Sequence, residues 1–141
     1  MNYARIAIAA VAATVVDGIY GFLVYGVLLA SDFARFPGVY RPADVGQAYL
    51  PIMFGFLFIA LLAVATIYAK GYEGGSGVAE GARFGVLMGV FVAMAFAGVN
   101  YATLNIGRGH SVMMAVAAFV EWTLLGVVIG LVYRPSSTRA K

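Results

Sequence analysis

Two acidic residues, Asp17 and Glu121, lie inside long apolar stretches of the sequence. An ionised carboxylate at the centre of a membrane helix costs about 2.5–3.5 kcal/mol, so such side chains normally face other helices or a water-filled cavity. Asp17 follows Arg5 by twelve residues, and Glu121 precedes Arg134 by thirteen. At a rise of about 1.5 Å per residue, both carboxyls are about 18 to 20 Å from the same membrane face. We predict that they lie at one depth, on faces where helices meet.

No Lys or Arg occurs at that depth in the sequence, so we expect two facing carboxyls to share a proton. Three roles are open for the pair. The carboxyls could hold helices together through hydrogen bonds to Tyr20, Tyr25 or a backbone carbonyl. They could instead relay a proton or cation, or they could bind a cationic or hydroxylated ligand. Asn100 either hydrogen-bonds across helices or lines the outer half of a cavity above the pair.

Other kinds of chemistry have little support. His110 is the sole histidine, and one histidine without a second ligand does not form a metal site, so we expect its side chain to be solvated. The absence of cysteine excludes disulfides and thiolate sites. The sequence has no nucleophile elbow, zinc-protease motif or phosphate-binding loop. We therefore predict no enzymatic activity, no metal and no cofactor.

The residues that position these side chains are strongly apolar. The 141-residue chain is 63% hydrophobic and only 11% charged, and its mean hydropathy is +0.94. A membrane helix needs about 20 apolar residues. Four stretches qualify, at about 6–30, 48–69, 83–105 and 111–133. The sequence predicts an all-α, polytopic membrane protein, a single domain over 1–141 whose four helices form an antiparallel bundle.

Three connections separate the four stretches. Residues 31–47 mix prolines, glycines, aromatic residues and arginines, as expected for a loop at the headgroup level. Residues 71–77 form a flexible glycine-rich loop, and 105–109 a tight turn. Six Lys and Arg lie on the side of the termini and three on the other. Positive charge favours the cytoplasmic side, so we expect both termini there, in a cell (inner) membrane.

Small residues recur at every fourth position of the third stretch. Such stripes let helix backbones approach closely in membranes. Their role is either packing within one chain or a homodimer seam. The residues are Gly81, Gly85, Gly89, Ala93 and Ala97, with Gly126 and Gly130 on the fourth stretch.

Three segments carry a likeness to a known group of proteins: residues 17–26, residues 80–85, and the end from Trp122 to Pro135. In these glycine and aromatic positions the chain resembles the small four-helix inner-membrane proteins of bacteria that are classed as domains of unknown function. The resemblance implies a four-helix fold and supplies no catalytic residue.

Two kinds of function follow from these observations. The first is a small binding protein, or a proton- or cation-linked transport protein, that uses the acidic pair. The second is an accessory subunit of a larger membrane complex, in which the two acidic side chains only form hydrogen bonds between helices. The expected partners are the lipid bilayer and either a second copy of the chain or a membrane-complex partner. The positive charge is explained by topology, so no nucleic acid is expected.

Overall fold

The computed structural model describes residues 1–133, and over that range it contains helices and no strands. Four helices are long and apolar enough to cross a membrane, which confirms the predicted all-α, four-span architecture. They are the first helix, Tyr3–Leu28, the second, Ala43–Lys70, the third, Gly77–Thr103, and the fourth, Arg108–Val132. The polar tail that follows Arg134 in the sequence lies outside the described residues.

All four helices begin earlier than hydropathy predicts, and the second and third do so by at least a full turn. The second starts at Ala43 instead of near residue 48, and the third starts at Gly77 instead of near residue 83. The added turns contain charged residues, Asp44 in one and Glu80 in the other. Helix formation requires hydrogen bonds for the backbone N–H and C=O groups and does not require apolar side chains. Hydropathy therefore locates only the part of each helix that crosses the hydrocarbon core.

The first and third helices each contain a π-helical segment, Phe22–Leu28 and Ala93–Gly98. In the first, the Leu29 amide donates to the Val24 carbonyl at 2.8 Å, five residues back. Such wide turns are rare in helices and occur frequently at functional sites. The Phe22–Leu28 segment carries Tyr25, which belongs to the site described below.

The third and fourth helices pack backbone against backbone. A methyl group on Gly85 would lie 2.6 Å from the Thr123 carbonyl oxygen, and one on Gly89 would lie 2.8 Å from that of Phe119. Residue numbers rise along one helix as they fall along the other, so this pair runs in opposite directions. The fourth helix therefore covers the predicted glycine stripe, which leaves it unavailable as a homodimer seam. Gly81, Gly126 and Gly130 belong to the same contact.

The first helix packs against both the second and the fourth. Its small residues Ala9, Ala10 and Ala13 are fully buried among larger side chains such as Leu61 and Ile129. At the other end of the bundle the chain leaves the first helix, forms a short helix, Ala30–Phe33, and continues to residue 42 before the second helix begins. We call residues 29–42 the connecting loop, because it completes the site described next.

Candidate functional site

The structure brings the two intramembrane acids together. Asp17 on the first helix and Glu121 on the fourth have side chains within hydrogen-bonding reach of each other. Glu121 is only 7% exposed, and Asp17 is half-buried. No Lys, Arg or His within residues 1–133 forms an ion pair with either carboxyl. Within residues 1–133 the two carboxyls therefore face each other, as expected from the sequence, and neither is paired with a cation.

Two tyrosines of the first helix extend this contact to the fourth. The Tyr25 hydroxyl donates to Glu121 Oε2 at 2.9 Å, and the Tyr20 hydroxyl donates to the Ala117 carbonyl at 2.8 Å. The two rings meet edge to face, with their centroids 6.0 Å apart. Both tyrosines therefore tie the first helix to the fourth, and Tyr25 alone reaches the acidic pair by a hydrogen bond.

His110 lies in a second polar cluster, and its expected solvation is wrong. The residue is only 4% exposed. Its Nδ1 pairs with Oδ2 of Asp32, and its Nε2 lies 2.7 Å from the Tyr40 hydroxyl. Asp32 also accepts a hydrogen bond from Arg35 at 3.1 Å. His110 is buried because the connecting loop folds over the start of the fourth helix.

Aromatic rings of the connecting loop surround this cluster. The Phe33 ring centroid lies 5.2 Å from that of His110 and 4.7 Å from that of Tyr40, and the Phe36 centroid lies 5.0 Å from that of His110. Burial raises the pKa of the Tyr40 hydroxyl, and the nearby Asp32 carboxylate raises it further. The rings keep water from the Asp32–His110 pair, which strengthens the hydrogen bond between them.

A cleft of about 420 Å³ lies between the two clusters. Tyr25 and Tyr40 both line it, and so does Phe33, whose ring centroid is 6.3 Å from that of Tyr25. The cleft is thus bordered by two hydrogen-bonded chains, each of which ends in a tyrosine. The remaining lining residues are small, cyclic or basic: Gly26, Ala30, Ala34, Pro37, Arg41, Pro42 and Ala43.

Asn100 does not belong to this arrangement. It is half-buried on the third helix, it does not line the cleft, and its side chain has no hydrogen bond to another residue of the described range. Sequence reasoning also missed Asp32 and Tyr40 as site residues. They are 78 and 70 positions from His110, and no periodic pattern reports a contact over such a separation.

Comparison with models of protein families, with curated proteins and with solved structures found no match to this chain. The resemblance to small four-helix bacterial membrane proteins stays a prediction. The function is therefore inferred from the geometry of the two clusters and the cleft.

Proposed function

We propose that this protein is a small membrane protein that binds and exchanges a proton, or a small cation in its place, at Asp17 and Glu121. The observation that carries the proposal is the meeting of two carboxyls in the membrane-spanning part of the fold, with no cation of residues 1–133 paired to either. Two ionised carboxylates in such surroundings repel strongly. A shared proton or a bound cation removes that repulsion.

The surroundings of the pair suit exchange. Asp17 is only half-buried, so the described part of the protein leaves some of its side chain uncovered. Tyr25 donates to Glu121 and also lines the cleft. A hydroxyl can pass a proton along by accepting one and donating another, so Tyr25 connects the cleft to Glu121. The cleft and Tyr25 together form the entrance in this proposal.

A second candidate function is a structural one, in an accessory subunit of a membrane complex. The hydrogen bonds of Tyr20 and Tyr25 to the fourth helix favour it, since both would also hold the two helices together. In that function the carboxyls share a proton permanently and exchange nothing.

The proposal also includes the membrane in which the protein lies, its orientation and its partners. Charge asymmetry favours a cell (inner) membrane with both termini in the cytoplasm, so that the connecting loop and the cleft face the outside. The partners that fit are the lipid bilayer together with a second copy of the chain or a membrane-complex partner.

The experiment that separates the two candidates measures proton flux into liposomes that contain the purified full-length chain. An internal pH-sensitive dye reports uptake after a potassium diffusion potential is imposed. Asp17→Asn and Glu121→Gln retain hydrogen-bonding capacity but cannot exchange a proton, so each is expected to reduce the initial rate at least tenfold. Asp44→Asn, at an exposed carboxyl outside the pair, is the matched control and is expected to retain the rate.

Two results would overturn the proton-exchange proposal. One is a flux through the unmodified protein that does not exceed that of protein-free liposomes. The other is full flux in both amide variants, because exchange at the pair would then be unnecessary. Normal folding of these variants together with either result supports the structural candidate.

A further inference from the structure

We infer that the cleft binds a small protonated amine, with its N–H groups directed at the oxygens of Tyr25 and Tyr40. This names the class of cation that enters the site, and it rests on the proposed function in treating the cleft as the entrance to the acidic pair.

The hydrogen of the Tyr25 hydroxyl points away from a ligand in the cleft. It is donated to Oε2 of Glu121 at 2.9 Å. A hydroxyl has one hydrogen and two lone pairs. Once the hydrogen is committed to Glu121, the oxygen can offer a ligand only a lone pair, so it can only accept a hydrogen bond.

The same holds for Tyr40, through His110. The Asp32 carboxylate can only accept, so Nδ1 of His110 carries a hydrogen. In the proposed arrangement the other ring nitrogen, Nε2, is unprotonated, so that it accepts the hydrogen of the Tyr40 hydroxyl over 2.7 Å. Asp32 is itself held by Arg35. In this arrangement Tyr40 also offers only lone pairs to a ligand.

The remaining features favour a cation over a neutral donor. Three aromatic residues, Tyr25, Phe33 and Tyr40, line the cleft, and the negative faces of such rings attract ammonium groups. Glu121, behind Tyr25, has no cation paired to it within residues 1–133. The volume of about 420 Å³ lies in the range of small-molecule sites.

Arg41 also lines the cleft, and its charge opposes a cation placed beside it. Its guanidinium lies over the Tyr49 ring, 4.0 Å from the ring centroid, and keeps its positive charge there. A carboxylate on the same ligand would pair with that charge. The ammonium group is common to simple amines and to amino-acid zwitterions, and the ligand series below distinguishes them.

The test is calorimetric titration of the full-length protein in lipid nanodiscs at pH 8, with protein-free nanodiscs as the blank. Butylammonium is expected to bind saturably. Butyltrimethylammonium keeps the charge but has no N–H group, and 1-butanol lacks the charge, so both are expected to bind at least tenfold more weakly. Tighter binding of 4-aminobutanoate than of butylammonium would assign Arg41 to a carboxylate, and weaker binding would leave a simple amine as the ligand class.

Tyrosine variants locate the ligand. Tyr40→Phe keeps the ring and removes the oxygen, and a lost hydrogen bond to a charged group corresponds to about a tenfold or greater loss of affinity. Tyr101→Phe, at an exposed ring on the third helix, is the control and is expected to bind like the unmodified protein. Thermal melting monitored by circular dichroism checks that both variants are folded.

Three results would overturn the inference: no saturable binding of butylammonium, equal binding of 1-butanol or butyltrimethylammonium, or undiminished binding by a folded Tyr40→Phe protein. The ligand series uses the unmodified chain, so it decides the inference even if the variant does not fold. Proton flux that depends on Asp17 and Glu121 alongside failed amine binding would remove only this inference and leave the proposed function standing.

Discussion

Gly85→Ala tests how closely the third and fourth helices pack. A methyl group at Gly85 would lie 2.6 Å from the Thr123 carbonyl oxygen and 2.9 Å from both the Thr123 Cα and the Trp122 carbonyl oxygen. These are backbone atoms, which cannot turn aside as a side chain can. Ordinary contacts begin at 3.4 Å, so the helices must separate by about 0.8 Å, the difference between 3.4 and 2.6 Å.

Two opposing terms set the size of the effect. Overpacking of this kind typically costs about 1–3 kcal/mol, whereas replacing glycine by alanine within a helix gains about 0.5–1 kcal/mol. The expected net loss of unfolding free energy is therefore between about 0 and 2.5 kcal/mol relative to the unmodified chain, and about 1–3 kcal/mol relative to a control that has only the glycine-to-alanine gain. Gly55→Ala is the matched control, because Gly55 lies within the second helix and a methyl group there meets no atom within 4 Å. It should retain or slightly increase stability.

The assay is reversible unfolding of the purified protein in mixed micelles with a rising fraction of a denaturing detergent, followed by circular dichroism. The measured quantity is the free energy of unfolding of each variant relative to the unmodified chain. If Gly85→Ala proves as stable as Gly55→Ala, the two helices are not in backbone contact at Gly85 and the packing described above is wrong.

Two further predictions concern the ends of the bundle. A reporter active only in the cytoplasm should be active when fused after Lys141 and silent when inserted within residues 31–47, and the reverse pattern would invert the proposed orientation. Because the Asp32 carboxylate helps to raise the pKa of Tyr40, Asp32→Asn should lower that pKa, so that the phenolate forms at a lower pH. Carbon-13 NMR of labelled tyrosine would measure this, with Asp44→Asn as the control and an unchanged Tyr40 titration as the contradicting result.

The membrane fold could be predicted because the hydrocarbon core imposes a length and a composition on each spanning helix. The acidic pair could also be anticipated, since Asp17 and Glu121 are at nearly equal distances from basic residues at the termini and share their faces with small residues. Depth and face are local properties of a helix, so they can be deduced from position along the chain.

The cluster around His110 could not be deduced in this way. His110 is buried because the connecting loop folds over the start of the fourth helix. This brings Asp32 and Tyr40 into contact with His110, which is 78 and 70 positions away in the sequence. The composition of that loop indicates a position near the headgroups and says nothing about which helix end it covers. Asn100 is the opposite case, a residue that stands out in the sequence because it is polar and lies on a helix. Polarity alone does not reveal whether another side chain lies close enough to form a hydrogen bond with it.

A proton shared by Asp17 and Glu121 is central to the proposed function, and infrared difference spectroscopy tests for it directly. Spectra of the carboxyl stretching region should be taken for the full-length protein in lipid across pH 5 to 9. We expect a protonated carboxyl band at pH 7 that disappears in a folded protein carrying both Asp17→Asn and Glu121→Gln, and that persists in Asp44→Asn. Absence of a protonated band at pH 7, or its survival in the doubly substituted protein, would contradict the shared site.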